Sequence, residues 1–136
     1  MKIIVVGAGY VGLVTGVCLA KFGNYVMCVD NDSQKIEKLW NGEVSFFEPG
    51  LSEIIRNNIE AGRLEFTTSL PEVLQEKDAQ MCFIAVGTPS NPDGSANLSH
   101  VQDVARIIGR HIEEGIIVVV KSTVPVGTCE TVKKII

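Results

Sequence analysis

Ile3-Ile4-Val5-Val6-Gly7-Ala8-Gly9-Tyr10-Val11-Gly12 is the stretch that decides the fold. Four β-branched residues in an unbroken run read as a strand buried on both faces. The glycines then fall where that strand must turn into a helix. Gly7 permits the tight turn, Gly9 lets backbone approach a pyrophosphate, and Gly12 lets the helix pack against the strand. A bare G-x-G-x-x-G is weak, but here it sits between strand and helix, and Asp30 ends the next apolar run about 20 residues on. No Lys or Arg lies between Ile3 and Ala20. Phosphates must therefore be met by backbone N–H groups and the helix N-terminus. A carboxylate at Asp30 accepts hydrogen bonds from adenosine ribose hydroxyls and repels the extra phosphate of NADP, so NAD is the expected cofactor. Lys35 complicates this choice, since a nearby cation can reach a phosphate or simply stand in solvent.

Working outward, five apolar runs read as strands: Lys2-Val6, Tyr25-Asp30, Leu64-Thr68, Gln80-Val86 and Ile116-Lys121. Four of them are nearly continuous in Val, Ile, Phe, Met or Cys, which favours a parallel sheet buried on both faces. Helical patterns lie between. Asp32 can cap a helix whose Ile36, Leu39 and Trp40 share one face, with Gly42 ending it. Leu51, Ile54, Ile55 and Ile59 repeat at helical spacing before Gly62. Ser69 and Glu72 form a capping-box pattern around Pro71. Val101, Val104, Ile108 and Ile112 make the buried stripe of a longer helix, and residues 42–50 and 85–97 read as loops. Right-handed crossovers then give a doubly wound (Rossmann) α/β fold, three layers α/β/α, with strand order 3-2-1-4-5. The expectation is a single domain over residues 1–136. The sequence stops at Lys133-Lys134-Ile135-Ile136, inside an amphipathic helical pattern, and is expected to be part of a longer chain.

Composition narrows the function classes. A net charge of −4 and scattered lysines leave no basic patch, so nucleic acid is not an expected partner. Cys18, Cys28, Cys82 and Cys129 have no Cys-x-x-Cys spacing, which points to neither zinc nor a disulfide framework and suits a reducing cytoplasm. The charge-free stretch from Ile3 to Ala20 has the length of a membrane segment, but its glycines and its strand-then-helix pattern speak against a membrane reading.

Val86-Gly87-Thr88 ends the fourth strand, and Ser122-Thr123 ends the fifth. Both overhang the crevice on the nicotinamide side. The hydroxyls of Thr88, Ser122 and Thr123 either meet the cofactor and a water near the reacting carbon or cap turns. Cys129, near the start of the last helix, lacks a His or Lys-rich pocket that would make it a nucleophile. Cys18, Cys28 and Cys82 read as small hydrophobes, and His100 and His111 as surface or packing residues.

Together these segments resemble the N-terminal domain of the UDP-glucose/GDP-mannose dehydrogenase family, most closely its UDP-glucose 6-dehydrogenase branch. The likeness covers essentially the whole chain. It rests on Gly-Ala-Gly-Tyr-Val-Gly at 7–12, Val-Asp-Asn-Asp at 29–32 with Lys35, Phe-Phe-Glu-Pro-Gly-Leu at 46–51, Val-Gly-Thr-Pro at 86–89, Asp-Gly-Ser-Ala-Asn-Leu-Ser at 93–99 and Lys-Ser-Thr-Val-Pro-Val-Gly-Thr at 121–128. The resemblance implies oxidation of the 6-hydroxyl of a nucleotide sugar to a carboxylate, with two NAD and a cysteine thioester. It implies that Tyr10, Val11, Asp30, Lys35, Thr88 and Thr123 contact NAD, and that Thr123 also helps to hold a catalytic water. The nucleophilic cysteine and the catalytic lysine, asparagine and aspartate of the family fall in regions beyond Ile136, as does the surface for a homodimer or higher assembly. This chain alone is thus expected to be inert.

Asn97 stands where many relatives have Asp, keeping an N-cap but losing a charge, and Phe46-Phe47 replaces an Ile-Tyr pair. That loop either packs on its own core, the favoured reading, or meets a partner domain or subunit. Two alternatives to the family reading remain: a non-catalytic NAD-binding module, and a dehydrogenase for a hydroxyacyl or sugar-phosphate alcohol. The Glu48-Pro49-Gly50-Leu51 loop speaks against the second.

Overall fold

Alternation along the strands sorts the core into two halves. Ile3 and Val5 pack with one buried cluster while Ile4 and Val6 pack with the other, as successive side chains of a strand point to opposite faces. The computed structural model describes residues 1–76, 78–112 and 115–136. Its strands are β1 (Lys2–Val6), β2 (Tyr25–Val29), β3 (Leu64–Thr67), β4 (Met81–Ile84) and β5 (Ile117–Val120). They form one parallel sheet of order β3-β2-β1-β4-β5, the doubly wound order expected from the crossovers. The helices are α1 (Tyr10–Lys21), α2 (Ser33–Trp40), α3 (Leu51–Glu60), α4 (Leu70–Gln75), α5 (Ser99–His111) and α6 (Thr128–Ile135). Leu13 and Val17 of α1, Ile36 and Leu39 of α2, and Leu51 and Ile55 of α3 cover one face. Leu70 and Val73 of α4, Val101 and Ile108 of α5, and Val132 of α6 cover the other.

Glycine decides how closely α1 lies on the sheet. A Cβ built on Gly16 would stand 2.6 Å from Cys28 Sγ of β2, so this glycine sets the helix-to-strand distance. Gly12 does the same where β1 ends. Its Cβ would stand 1.8 Å from the carbonyl oxygen of Gly7, so it lets the turn fold back on its own helix. Gly7 itself takes φ +101°, with Ala85 O 2.6 Å from where a side chain would begin.

Several local expectations change. Ser69 makes no side-chain cap to α4; its N–H instead donates to Thr67 Oγ1 at 3.2 Å, so the Ser69–Glu72 capping box is not formed. Trp40 is 42% exposed rather than buried, because its indole lies at the sheet edge, donating Nε1–H to Phe66 O at 3.1 Å and packing edge-to-face on the Phe66 ring. β5 is an edge strand, which leaves Val118, Val119 and Val120 half-buried and Ile117 exposed, whereas its apolar run reads as buried on both faces. Ile112 lies one residue past the end of α5, half-buried against the second cluster. Asp32 caps α2 as expected, accepting from Lys35 N–H at 3.1 Å, and Gly42 N–H closes the helix on Leu39 O. Among the described residues no helix is long and apolar enough to cross a membrane.

Candidate active site

The sheet order brings the turns after β1 and β4 together, since strand polarity places both at carboxyl ends on either side of the switch point. The β1 turn is tied to β2 by Gly7 N–H donating to Val29 O at 2.7 Å. Leu13 N–H begins the helical ladder on Gly9 O. No acceptor among the described residues takes the N–H groups of Gly9, Tyr10, Val11 and Gly12. These are the orphan donors of a helix start, reinforced by the positive end of the α1 dipole. A Cβ on Gly9 would meet nothing within 4 Å, and its φ of −75° is open to any residue.

Asp30 follows β2 and is engaged three ways. Oδ2 accepts from Ala8 N–H at 2.8 Å and from Lys35 Nζ at 2.9 Å, and Oδ1 accepts from Asp32 N–H at 3.1 Å. Its side chain is 9% exposed. Burial works against ionisation, but the Lys35 ammonium and the amides of Asp32 and Ala8 outweigh it and hold the carboxyl below its ordinary value. Asp30 is thus a pre-formed anion that also pins the glycine turn. Beside it lies a cleft of about 210 Å³ between Ala8, Leu13, Lys35 and Ser45. A larger cleft of about 430 Å³, among Lys2, Tyr25, Arg63 and Glu65, lies at the opposite, amino end of the strands. Ligands of open α/β sheets bind at the carboxyl ends, so the smaller cleft is the relevant one.

Across the switch point, Thr88 Oγ1 lies 2.9 Å from both Thr123 O and Thr123 Oγ1, joining the β4 and β5 turns by a hydroxyl pair. Ser122 behaves differently: its hydroxyl donates to Val86 O at 2.7 Å, locking one turn to the other. The Gly87 carbonyl is likewise taken, by Nδ1 of the exposed His100 at 3.2 Å, so His100 is the surface and packing residue expected, seated on this turn. Asn97 is not the cap expected of it: the N-cap of α5 is Leu98, without a side-chain cap, and Asn97 Oδ1 instead accepts from Ser99 N–H at 2.9 Å from one residue further out.

The glycine turn has a neighbour that the motif does not foretell. Tyr10 is 55% exposed, donates its hydroxyl to Glu48 Oε2 at 2.8 Å, and meets the Phe46 ring edge-to-face. The Glu48 carboxylate holds the Tyr10 phenol above its ordinary value. Phe46 therefore packs, as expected of that loop, while Phe47 is 90% exposed. Burial pushes the Cys28 and Cys82 thiols up to about 12. Cys18 and Cys129 are exposed. No His, Cys, Asp and Glu group among the described residues is arranged to hold a metal ion.

Free amides at a helix start, a half-buried acid one strand over and the switch point on the other side of that turn define a dinucleotide-binding domain of the dehydrogenase type. The chain belongs to the UDP-glucose/GDP-mannose dehydrogenase family, whose NAD binding domain matches residues 1–136. It is 53% identical over 136 residues to the UDP-glucose 6-dehydrogenase of Pseudomonas aeruginosa, covering all of this chain and 30% of that protein. A ternary complex of GDP-mannose dehydrogenase from the same organism superposes with a TM-score of 0.90 at 38% identity, over 97% of this chain and 30% of the other. The UDP-glucose dehydrogenase of Pyrobaculum islandicum gives 0.87 at 40% identity, over 98% and 32%. The chain thus spans about a third of the length of these relatives. Its cofactor is NAD.

Proposed function

We propose that NAD lies across the switch point with its diphosphate on the N–H groups of Gly9, Tyr10, Val11 and Gly12. Its adenosine ribose hydroxyls are held by Asp30 with Lys35 alongside, and its nicotinamide end lies toward Thr88 and Thr123. The observation that carries this reading is Gly9. Neither its backbone angles nor its neighbours demand glycine, so the missing side chain makes room for something outside the chain. Gly7 and Gly12, by contrast, are required by the chain's own packing.

When bound, NAD supplies a hydride acceptor at the nicotinamide carbon. The residues here bind and orient it. Ionised Asp30 takes ribose hydroxyl protons as hydrogen bonds and repels a 2′-phosphate, which supports NAD over NADP. The Thr88–Thr123 pair supplies hydroxyls beside the reacting end, and Thr123 is the residue to hold a water there. Ser122, Val86 and Gly87 shape the turn that carries them, through the Ser122–Val86 and His100–Gly87 bonds.

The parent reaction is oxidation of a nucleotide sugar at its 6-hydroxyl, with UDP-glucose favoured by the 53% identity to an enzyme of that name. GDP-mannose or UDP-N-acetylmannosamine are the alternatives. Among the described residues Cys28 and Cys82 are buried, and no basic side chain hydrogen-bonds the exposed Cys18 or Cys129 thiols, which supports a chain that binds cofactor without turning over substrate. A UDP-sugar, a homodimer or larger assembly and a cytoplasmic setting complete the proposal. Calorimetric titration with NAD and NADP tests it on wild type and Asp30→Ala. The expected result is tighter binding of NAD, weakened about tenfold or more in the variant. Equal affinity for the two cofactors overturns the ribose assignment, and conversion of UDP-glucose by this chain alone overturns its inertness.

A further inference from the structure

Tyr10 opens α1, and its side chain is gripped by a segment far away in sequence. Its hydroxyl donates to Glu48 Oε2 at 2.8 Å and its ring meets Phe46 with centroids 4.9 Å apart at 64°. That segment is itself fixed. Phe46 packs against the first core cluster, Leu51 N–H donates to Glu48 O at 3.2 Å, and Leu51 is buried at the start of α3. Upstream of Tyr10, Gly9 has no side chain and no contact where one would begin. Tyr10 is therefore the first side chain of α1 by which the orphan N–H groups can be held in place.

We propose that Glu48 is a positioning residue for the cofactor, acting through the Tyr10 hydroxyl to hold the first turn of α1 with its N–H groups turned toward the diphosphate. This rests on the NAD reading above and adds to it a residue that need not touch the cofactor. Two effects of Glu48 have opposite signs. As a bare charge, its carboxylate repels a diphosphate, so removing the charge would tighten binding. As a support, it orders Tyr10 before the ligand arrives, so removing it loosens binding.

The test is a cycle of wild type, Glu48→Gln, Tyr10→Phe and the double variant in this chain. NAD affinity is measured by calorimetry, and phenol ionisation by ultraviolet difference titration. The chain has two tyrosines, so Tyr25 serves as the internal reference. Glu48→Gln is expected to weaken NAD about threefold and Tyr10→Phe about three- to tenfold, and the double variant no further than Tyr10→Phe, because the first weakens and the second removes the same charge-assisted hydrogen bond. Glu48→Gln should also lower the Tyr10 phenol toward its ordinary value, a change that NAD need not be present to show. Binding that is unchanged or tighter in Glu48→Gln overturns the inference while leaving the NAD reading intact, and so does a loss that persists in the Tyr10→Phe background. Absence of NAD binding by the wild type overturns both.

Discussion

Replacing Gly12 and Gly9 by alanine separates what the glycine turn needs for folding from what it needs for its ligand. At Gly12 the new Cβ stands 1.8 Å from Gly7 O and 3.2 Å from Ala85 Cβ. An ordinary non-bonded separation is about 3.5 Å, so the turn must open by well over an ångström. The obstacle is backbone, which cannot rotate aside as a side chain would. Alanine gains about 1 kcal/mol in helix propensity, but overpacking of this severity costs about 3 kcal/mol or more, leaving a net loss of about 2 kcal/mol. For a domain of this size that lowers Tm by about 6–8 °C. At Gly9 the Cβ meets nothing, so Tm should move by no more than about 1 °C. NAD affinity should nevertheless fall about tenfold or more, because the methyl occupies ligand space. Thermal melts followed by far-ultraviolet circular dichroism, paired with calorimetric titration, read both quantities. A Gly12→Ala protein as stable as wild type, or a Gly9→Ala protein that binds NAD normally, would refute the division of labour.

Three further outcomes follow from the same geometry. Because Asp30 titrates below its unfolded value of about 3.9, its ionised form contributes stability above that pH and loses it as pH falls through the folded value. The stability gap between wild type and Asp30→Asn, from urea melts, should thus be widest near neutrality and shrink below about pH 4; a gap constant down to about pH 2 contradicts this. Native protein should react with a thiol reagent at Cys18 and Cys129 only, with Cys28 and Cys82 reacting after denaturation, whereas four fast thiols would contradict their burial. Ser122→Ala removes the donor to Val86 O and should cost about 1 kcal/mol in chemical denaturation; an unchanged midpoint would return Ser122 to a purely cofactor-facing role.

Much of the candidate site is legible because its signals are local. The glycine spacing, the β-branched run before it and Asp30 after the second strand each reflect a short-range steric or electrostatic need. Misreadings cluster where two local solutions compete. Ser69 with Glu72 has the pattern of a capping box, yet Thr67 stands nearer and takes the Ser69 N–H. Trp40 shares the apolar face of α2 on a helical wheel, but the sheet ends beneath it and the indole finds a carbonyl at the edge instead. Gly12 does let α1 lie close, against the Gly7 carbonyl just past β1, but Gly16, which the motif does not mark, shares that task, since its Cβ would strike Cys28.

Periodicity and glycine placement were enough to determine the strand order, the two covered faces and the turn that receives a diphosphate. These are properties of short segments joined by right-handed crossovers. Only the tertiary structure decided how polar side chains are committed. Glu48 is 38 residues from Tyr10, Ser122 is 36 from Val86, and Ala8 is 22 from Asp30. A hydroxyl or carboxylate bonds to whichever partner the fold brings within about 3 Å, and no spacing along the chain encodes that meeting.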